Sequence, residues 1–329
     1  EGQLKMRMVD SEAFDLGHNL ALTPGKVVLQ NDLIQLIQYE PATPTVSKTP
    51  LLVIPPWINK YYILDLRPKN SYIRWLVEQG HSVFVISWVN PGSELAEKGF
   101  EDYLLEGPLA ALNAMKAITG TAQSNVIGYC LGGTLLAALL AYLEGTGAAD
   151  RVASATFLTS MIDFAEPGDL GVFIDDEQVE SLEQKMKRDG YLDGTDMATT
   201  FNMLRSNDLI WSFVINNYLM GEEPLAFDLL YWNSDSTRMP ARMHSEYLRT
   251  MYLENRFKEP GGMVLDGVPI DIASVKTPCY FLSACEDHIA PWRSTFVGAG
   301  LFKGSVRFVL SGSGHIAGVV NPPDAKKYG

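Results

Sequence analysis

Cys130 stands in Gly128-Tyr129-Cys130-Leu131-Gly132-Gly133-Thr134, with a glycine two residues before it and another two residues after. A short apolar run, Val126-Ile127, leads into this turn, and a long apolar helical run from Leu135 to Leu143 follows it. Strand, turn and helix in that order make a nucleophile elbow, with cysteine at the point where most elbows carry serine. A nucleophile held at a strained turn leaves no room for bulk at minus two and plus two. The free amides at the start of the helix favour a thiolate on Cys130 and an oxyanion beside it. The same glycine pair also suits an ordinary turn around an inert, buried cysteine.

A cysteine nucleophile needs a base to take its proton and an acid to orient that base. Elbow-bearing sheets place them in the order nucleophile, acid, histidine, with the acid after a late strand and the histidine after the last. Asp287 follows the apolar run Tyr280 to Ser283, and His315 follows Val306 to Leu310 in the glycine-rich loop Ser311-Gly312-Ser313-Gly314. Taken singly, Asp287 also reads as a helix N-cap before Ile289-Ala290-Pro291, and His315 as a solvent-facing loop residue. Asp163, after the strand that follows the elbow, is a rival for the acid. His288 adjoins Asp287 and reads as a supporting residue, while His18, His81 and His244 have no supporting context. Cys279 and Cys285 read as packing residues. The oxyanion hole then falls to the amide of Leu131 and to the loop Pro55-Pro56-Trp57-Ile58-Asn59-Lys60, where Ile58 is the chosen second donor. Losing one such donor costs about 3 kcal/mol in the transition state. Lys60, Arg67, Lys69 and Arg74 read as a solvated face or as partners for phosphates.

Strand and helix must alternate to position these residues, and through the first half they do. Lys26 to Gln30 and Leu33 to Tyr39, split by Asn31-Asp32, suggest an antiparallel pair of strands. Leu51 to Ile54, Val83 to Trp88, Val126 to Gly128 and Val152 to Thr159 read as further strands. The segments Asn70 to Gln79, ended by Gly80, and Phe100 to Ile118 read as helices. The alternation predicts a mostly parallel sheet with helices on both faces. It breaks between Asp163 and Pro240, where helices are expected from Glu177 to Arg188 and from Asp208 to Met220. Trp211, Phe213, Tyr218, Phe227, Tyr231 and Trp232 fall there. This is the expected inserted, mainly helical cap, a lid that keeps water from the site. The division is then core 1–162, cap 163–240 and core 241–329.

The 329 residues suffice for one large domain with an insertion, and the net charge of −13 argues against a nucleic-acid backbone as partner. Three cysteines make no disulfide framework and share no metal-ligand spacing with the five histidines, which fits a reducing cytoplasm and no metal. The start, Glu1-Gly2-Gln3-Leu4-Lys5, is not a secretory signal, and its lack of methionine fits a piece of a longer protein. The longest near-apolar run, Leu131 to Leu143, is too short to span a bilayer.

Four stretches in order carry a resemblance: the elbow, Pro55 to Lys60, Glu286-Asp287-His288-Ile289-Ala290-Pro291-Trp292, and Gly314-His315-Ile316-Ala317-Gly318-Val319-Val320-Asn321-Pro322-Pro323. With Asn207-Asp208-Leu209 and Phe227 to Asn233 in the cap, the chain resembles the polyhydroxyalkanoate synthases, and the class I enzymes most. The resemblance implies an α/β-hydrolase fold with a cap, and a Cys130, Asp287, His315 triad. It implies polymerisation of (R)-3-hydroxyacyl-CoA, such as 3-hydroxybutyryl-CoA, onto a growing polyester chain with release of CoA. It further implies a homodimer on polymer granules in the cytoplasm, with no cofactor beyond the coenzyme A the substrate brings. The family's additional N-terminal region is expected to be absent from this chain. The rival readings are a cysteine thioesterase or esterase on the same fold, which uses water, and a non-catalytic granule scaffold.

Overall fold

The computed structural model describes residues 9–204, 210–223, 226–322 and 326. Eight strands form its main sheet: β1 Gly25–Gln30, β2 Ile34–Tyr39, β3 Leu51–Ile54, β4 Val83–Trp88, β5 Ser124–Tyr129, β6 Val152–Leu158, β7 Cys279–Ala284 and β8 Val306–Ser311. Their spatial order is β1-β2-β4-β3-β5-β6-β7-β8, and every neighbouring pair from β4 to β8 is parallel. Strand β2 runs antiparallel to both β1 and β4, so the expected antiparallel edge is present, with β1 outermost. The Asn31 side chain makes that turn by accepting from the amides of Leu33 and Ile34 at 2.9 and 2.8 Å.

Strands buried on both faces must be apolar throughout, and alternate residues feed two cores. Leu52, Ile54, Phe84 and Ile86 pack on one side, while Leu51, Val53, Val83 and Val85 pack on the other. Helices cover both faces. One spans Tyr72–Glu78, started by the Ser71 hydroxyl accepting from the Arg74 amide, with Gly80 left-handed just beyond its end. The helix expected over 100–118 runs as Phe100–Leu104, a wide turn at Leu105–Leu109, and Ala110–Thr119. Pro108 lies inside the wide turn, where its missing N–H breaks the regular ladder.

The central helix is Leu131–Gly145, which starts four residues earlier than the apolar run suggests, and Leu131 through Leu143 are all buried. A helix apolar on every side belongs inside the fold. Three glycines let it start this close to the sheet. A Cβ on Gly128 would lie 2.4 Å from the Gly133 Cα, one on Gly132 would lie 1.9 Å from the Ile54 carbonyl oxygen, and one on Gly133 would lie 1.9 Å from the Ser160 hydroxyl. Because the obstacle at Gly132 is backbone of β3, Gly132→Ala is expected to destabilise by at least about 3 kcal/mol in a urea titration, whereas Gly147→Ala, with open space around it and only its left-handed φ of 71° to strain a side chain, costs about 1 kcal/mol.

Between β6 and β7 the chain builds a mostly helical layer. It includes Asp176–Asp189, closed by left-handed Gly190, then Gly194–Leu204, Asp228–Ser234 and Ala241–Tyr247. Of the helix expected over 208–220, residues 210–219 are helical, while Asp208, with Asn207 and Leu209, lies outside the described residues. No helix among the described residues is long and apolar enough to cross a membrane.

Candidate active site

Parallel register brings the carboxyl ends of β5, β7 and β8 to one edge of the sheet. Tyr129 pairs with Leu158 of β6, Leu158 with Leu282 of β7, and Ala284 with Ser311 of β8. Cys130, Asp287 and His315 are the residues that follow these ends, at the edge where open α/β sheets hold their ligands. Cys130 adopts φ 52° and ψ −122°, a strained conformation for a residue with a side chain, at the start of the central helix. It is partly exposed.

The Asp287 side chain is fully buried and both its oxygens are used. Oδ1 accepts from the amides of Ile289 and Ala290 at 2.9 and 2.8 Å, and Oδ2 meets His315 Nδ1 at 2.7 Å. One oxygen of Asp287 thus caps the turn at Ile289 and Ala290, and the other meets His315. In the loop that carries His315 the left-handed residue is Ser313, at φ 73°. The ring turns inward, is 7% exposed, and stacks on Tyr129 at 5.8 Å between centroids. Burial works against a charge on this imidazole, but Asp287 and Cys130 beside it prevail and hold its pKa well above the ordinary value.

The cavity at Cys130 holds about 730 Å³ of empty space, part of it open to solvent. Leu131 and Ile58 line it together with His315, so both chosen oxyanion residues reach the site. As the first residue of the central helix, Leu131 carries an amide without a partner one turn back. The loop before Ile58 is held by Trp88, whose indole N–H donates to the Pro55 carbonyl at 2.8 Å, and by Trp57, which packs edge-on against Phe100, Tyr103 and Tyr247.

The rivals sit elsewhere. The Asp163 carboxylate accepts from Asn255 at 2.8 Å, from the Ala165 amide at 2.9 Å and from Lys258 at 3.1 Å. Although burial opposes it, these partners pull its pKa below the carboxylate range. Asp163→Asn is expected to cost about 1–3 kcal/mol of stability near neutral pH with turnover retained. A depressed carboxylate stabilises above its unfolded pKa, so the deficit disappears as pH falls through the folded value, which unfolding curves at several pH values would show. The His288 carbonyl accepts from the Asp169 amide, and His18 is exposed near Asp15. Cys279 is buried as expected, its pKa raised to about 12 by burial, but Cys285 is exposed, because it follows the last residue of β7 as the chain turns out of the sheet. Of the four candidate phosphate partners, Arg67 pairs with buried Asp228 at 3.3 Å and Arg74 with Glu78 at 2.8 Å.

Sequence reasoning passed over Leu170, Phe201, Tyr247 and Tyr252, and named Trp232 only as one aromatic of the cap. Tyr247 and Tyr252 line the cavity, with their hydroxyls 3.3 Å apart, and burial drives the pKa of each upward. Phe201, Leu170 and Trp232 line the cavity from the helical layer, whereas Trp211, Tyr218 and Phe227 are exposed. Trp232 also ties that layer to the Ile58 loop, donating to the Lys60 carbonyl at 2.8 Å, while Tyr62 donates to Asp235 at 2.8 Å. The clustering of Tyr231, Trp232 and Asn233 was the one available signal.

The chain belongs to the alpha/beta hydrolase fold family, whose sequence model matches residues 59–322. Residues 1–76 match the model described as the N-terminus of poly-beta-hydroxybutyrate polymerase (PhaC). Relatives named as poly(3-hydroxyalkanoate) polymerases include a subunit PhaC from Rhizobium meliloti, 56% identical over 99% of this chain and 53% of that protein. The polymerase of Methylorubrum extorquens is 55% identical over 100% of this chain and 54% of its own length, and the subunit PhaC of Cupriavidus necator 44% over 98% and 56%. The chain thus spans a little over half the length of these relatives. Among solved structures, a thermophilic esterase from Thermogutta terrifontis superposes with a TM-score of 0.52 at 13% identity, over 93% of this chain and 94% of that one. A thioesterase domain from the curacin biosynthetic pathway gives 0.52 at 9% identity, over 92% and 97%. Both share the fold.

Proposed function

We propose that the chain is the catalytic part of a poly(3-hydroxyalkanoate) polymerase, which transfers (R)-3-hydroxyacyl groups from coenzyme A to a growing polyester through a thioester on Cys130. The observation that carries the chemistry is the buried 2.7 Å bond between Asp287 and His315 beside a strained elbow cysteine. The polyester follows from the relatives.

In the first half-reaction the Cys130 thiolate attacks the thioester carbonyl, and the oxyanion accepts from the amides of Leu131 and Ile58. Collapse expels CoA as a thiolate, which takes a proton from the His315 imidazolium. Acylation then removes the negative charge on Cys130, one of the causes that keep His315 protonated. The neutral imidazole next accepts the proton of an incoming 3-hydroxyl, whose oxygen attacks the acyl-enzyme; an ester forms and the Cys130 thiolate leaves. The burial of the Asp287 side chain and the engagement of both its oxygens support giving it the role of orienting the ring.

Water is the competing nucleophile, and the layer over 163–240 is the proposed lid against it, through Leu170, Phe201 and Trp232. Homodimer formation and residence on granules in the cytoplasm belong to the same proposal. The test supplies 3-hydroxybutyryl-CoA, follows CoA release and identifies the product. Polymer supports the reading, and free 3-hydroxybutyrate assigns a thioesterase.

A further inference from the structure

A second cavity lies beside the catalytic one. Ile58, Phe201, Tyr247 and Tyr252 line both, so the two chambers share walls. The second holds about 610 Å³ of empty space, part of it open to solvent, and its polar lining is Asp196, Thr200, His244 and the two tyrosines. Asp196 is drawn to Lys185 at 2.6 Å, and the Thr200 hydroxyl donates to the Asp196 carbonyl at 3.1 Å. The tyrosine hydroxyls meet each other.

His244 is different. It is 2% exposed, it lies in the chamber wall, and its Nδ1 finds no partner among the described residues. Buried polar atoms left unpaired are costly and uncommon, and they point to a partner that is present when the protein works. Burial lowers this imidazole's pKa to about 4, so it meets a ligand as a neutral group. Among the described residues no lysine or arginine lines the chamber, whose described walls are mostly aliphatic and aromatic. What fits is an uncharged aliphatic chain interrupted by hydroxyl or ester groups.

We propose that the second chamber binds a hydroxyl- and ester-bearing segment of the polyester, with the His244 imidazole as its polar contact and the chamber beside Cys130 receiving the chain's reacting end. The inference rests on the polymerase reading for its ligand. His244 is in this account a positioning residue, since the reacting atoms lie at Cys130.

The probe is the methyl ester of a linear 3-hydroxybutyrate trimer, titrated calorimetrically into the full chain. His244→Leu is expected to weaken binding about five- to tenfold, the share of one buried hydrogen bond, while His244→Asn, which keeps a polar atom near Nδ1, stays within about twofold of the parent. Leu182→Trp, which fills the chamber from another helix, abolishes binding. Alkylation of Cys130, read on its own peptide because Cys285 is exposed, reports that each variant is folded. Parental affinity in both His244→Leu and Leu182→Trp, or no binding by the parent, overturns the proposal. Should the parent hydrolyse 3-hydroxybutyryl-CoA to free acid while trimer binding still depends on His244, the site stands and the polymerase reading falls.

Discussion

Cys130→Ala is expected to lower CoA release from 3-hydroxybutyryl-CoA by about 10⁴-fold or more, with the unfolding transition little changed. The loss is this large because no neighbouring group can replace the nucleophile. Cys279 is buried inside β7 with its thiol held by the Thr277 carbonyl at 3.1 Å, and Cys285 is exposed beyond the strand end. The fold survives because alanine fits where cysteine did and removes a strained residue's only reactive atom without opening a large cavity. Cys130→Ser is expected to fare little better than alanine, since a hydroxyl is a far weaker nucleophile than a thiolate beside an imidazolium. Steady-state CoA release with circular dichroism melting checks both parts; turnover surviving in Cys130→Ala would mean that the nucleophile lies elsewhere.

Asp287→Asn carries the second large effect, a loss of about 10³- to 10⁴-fold in turnover. The physical reason is electrostatic. His315 is buried, which by itself lowers its pKa, and Asp287 is the leading cause on the other side of the balance. Without that carboxylate the balance tips toward burial and the pKa of the ring falls, so the imidazolium that returns a proton to departing CoA is lost. The pKa of His315, read from its imidazole resonances in an NMR pH titration, should therefore be lower in Asp287→Asn than in the parent. The stability of the two proteins should differ in the same sense. A histidine with a raised folded pKa stabilises below its unfolded pKa, and that contribution fades as pH rises through the folded value, so the parent shows an alkaline decline that the variant lacks. His315→Ala should fall as far as Asp287→Asn, whereas His288→Ala keeps most activity, because His315 and not His288 takes the carboxylate.

The parts of this site that were legible in the sequence are those fixed by short-range constraints. Gly128, Gly132 and Gly133 announce a helix pressed against β3, and that spacing alone locates Cys130. The order of Cys130, Asp287 and His315 follows from parallel strands that all end at one edge, so topology read from alternating strand and helix sufficed. What the sequence concealed depends on long-range packing. Tyr247 and Tyr252 belong to the helical layer between β6 and β7, and nothing local marks a tyrosine there as facing Cys130 rather than a core. Trp211 and Tyr218 carry the composition of a lid yet face outward, since helical spacing without a known partner does not tell inside from outside. Asp163 followed a strand end as an acid should, and only the side chains of Asn255 and Lys258, more than ninety residues away in sequence, reveal its structural employment.

Polymerisation by this route requires a covalent acyl group at Cys130. The direct measurement is mass spectrometry of the protein quenched in acid moments after mixing with 3-hydroxybutyryl-CoA, followed by digestion and mapping of the peptide that spans Ser124 to Gly145. A 3-hydroxybutyryl thioester, or a short oligomer of it, on Cys130 and absent from Cys130→Ala is the expected result; CoA released while Cys130 stays unmodified at every quench time would contradict it.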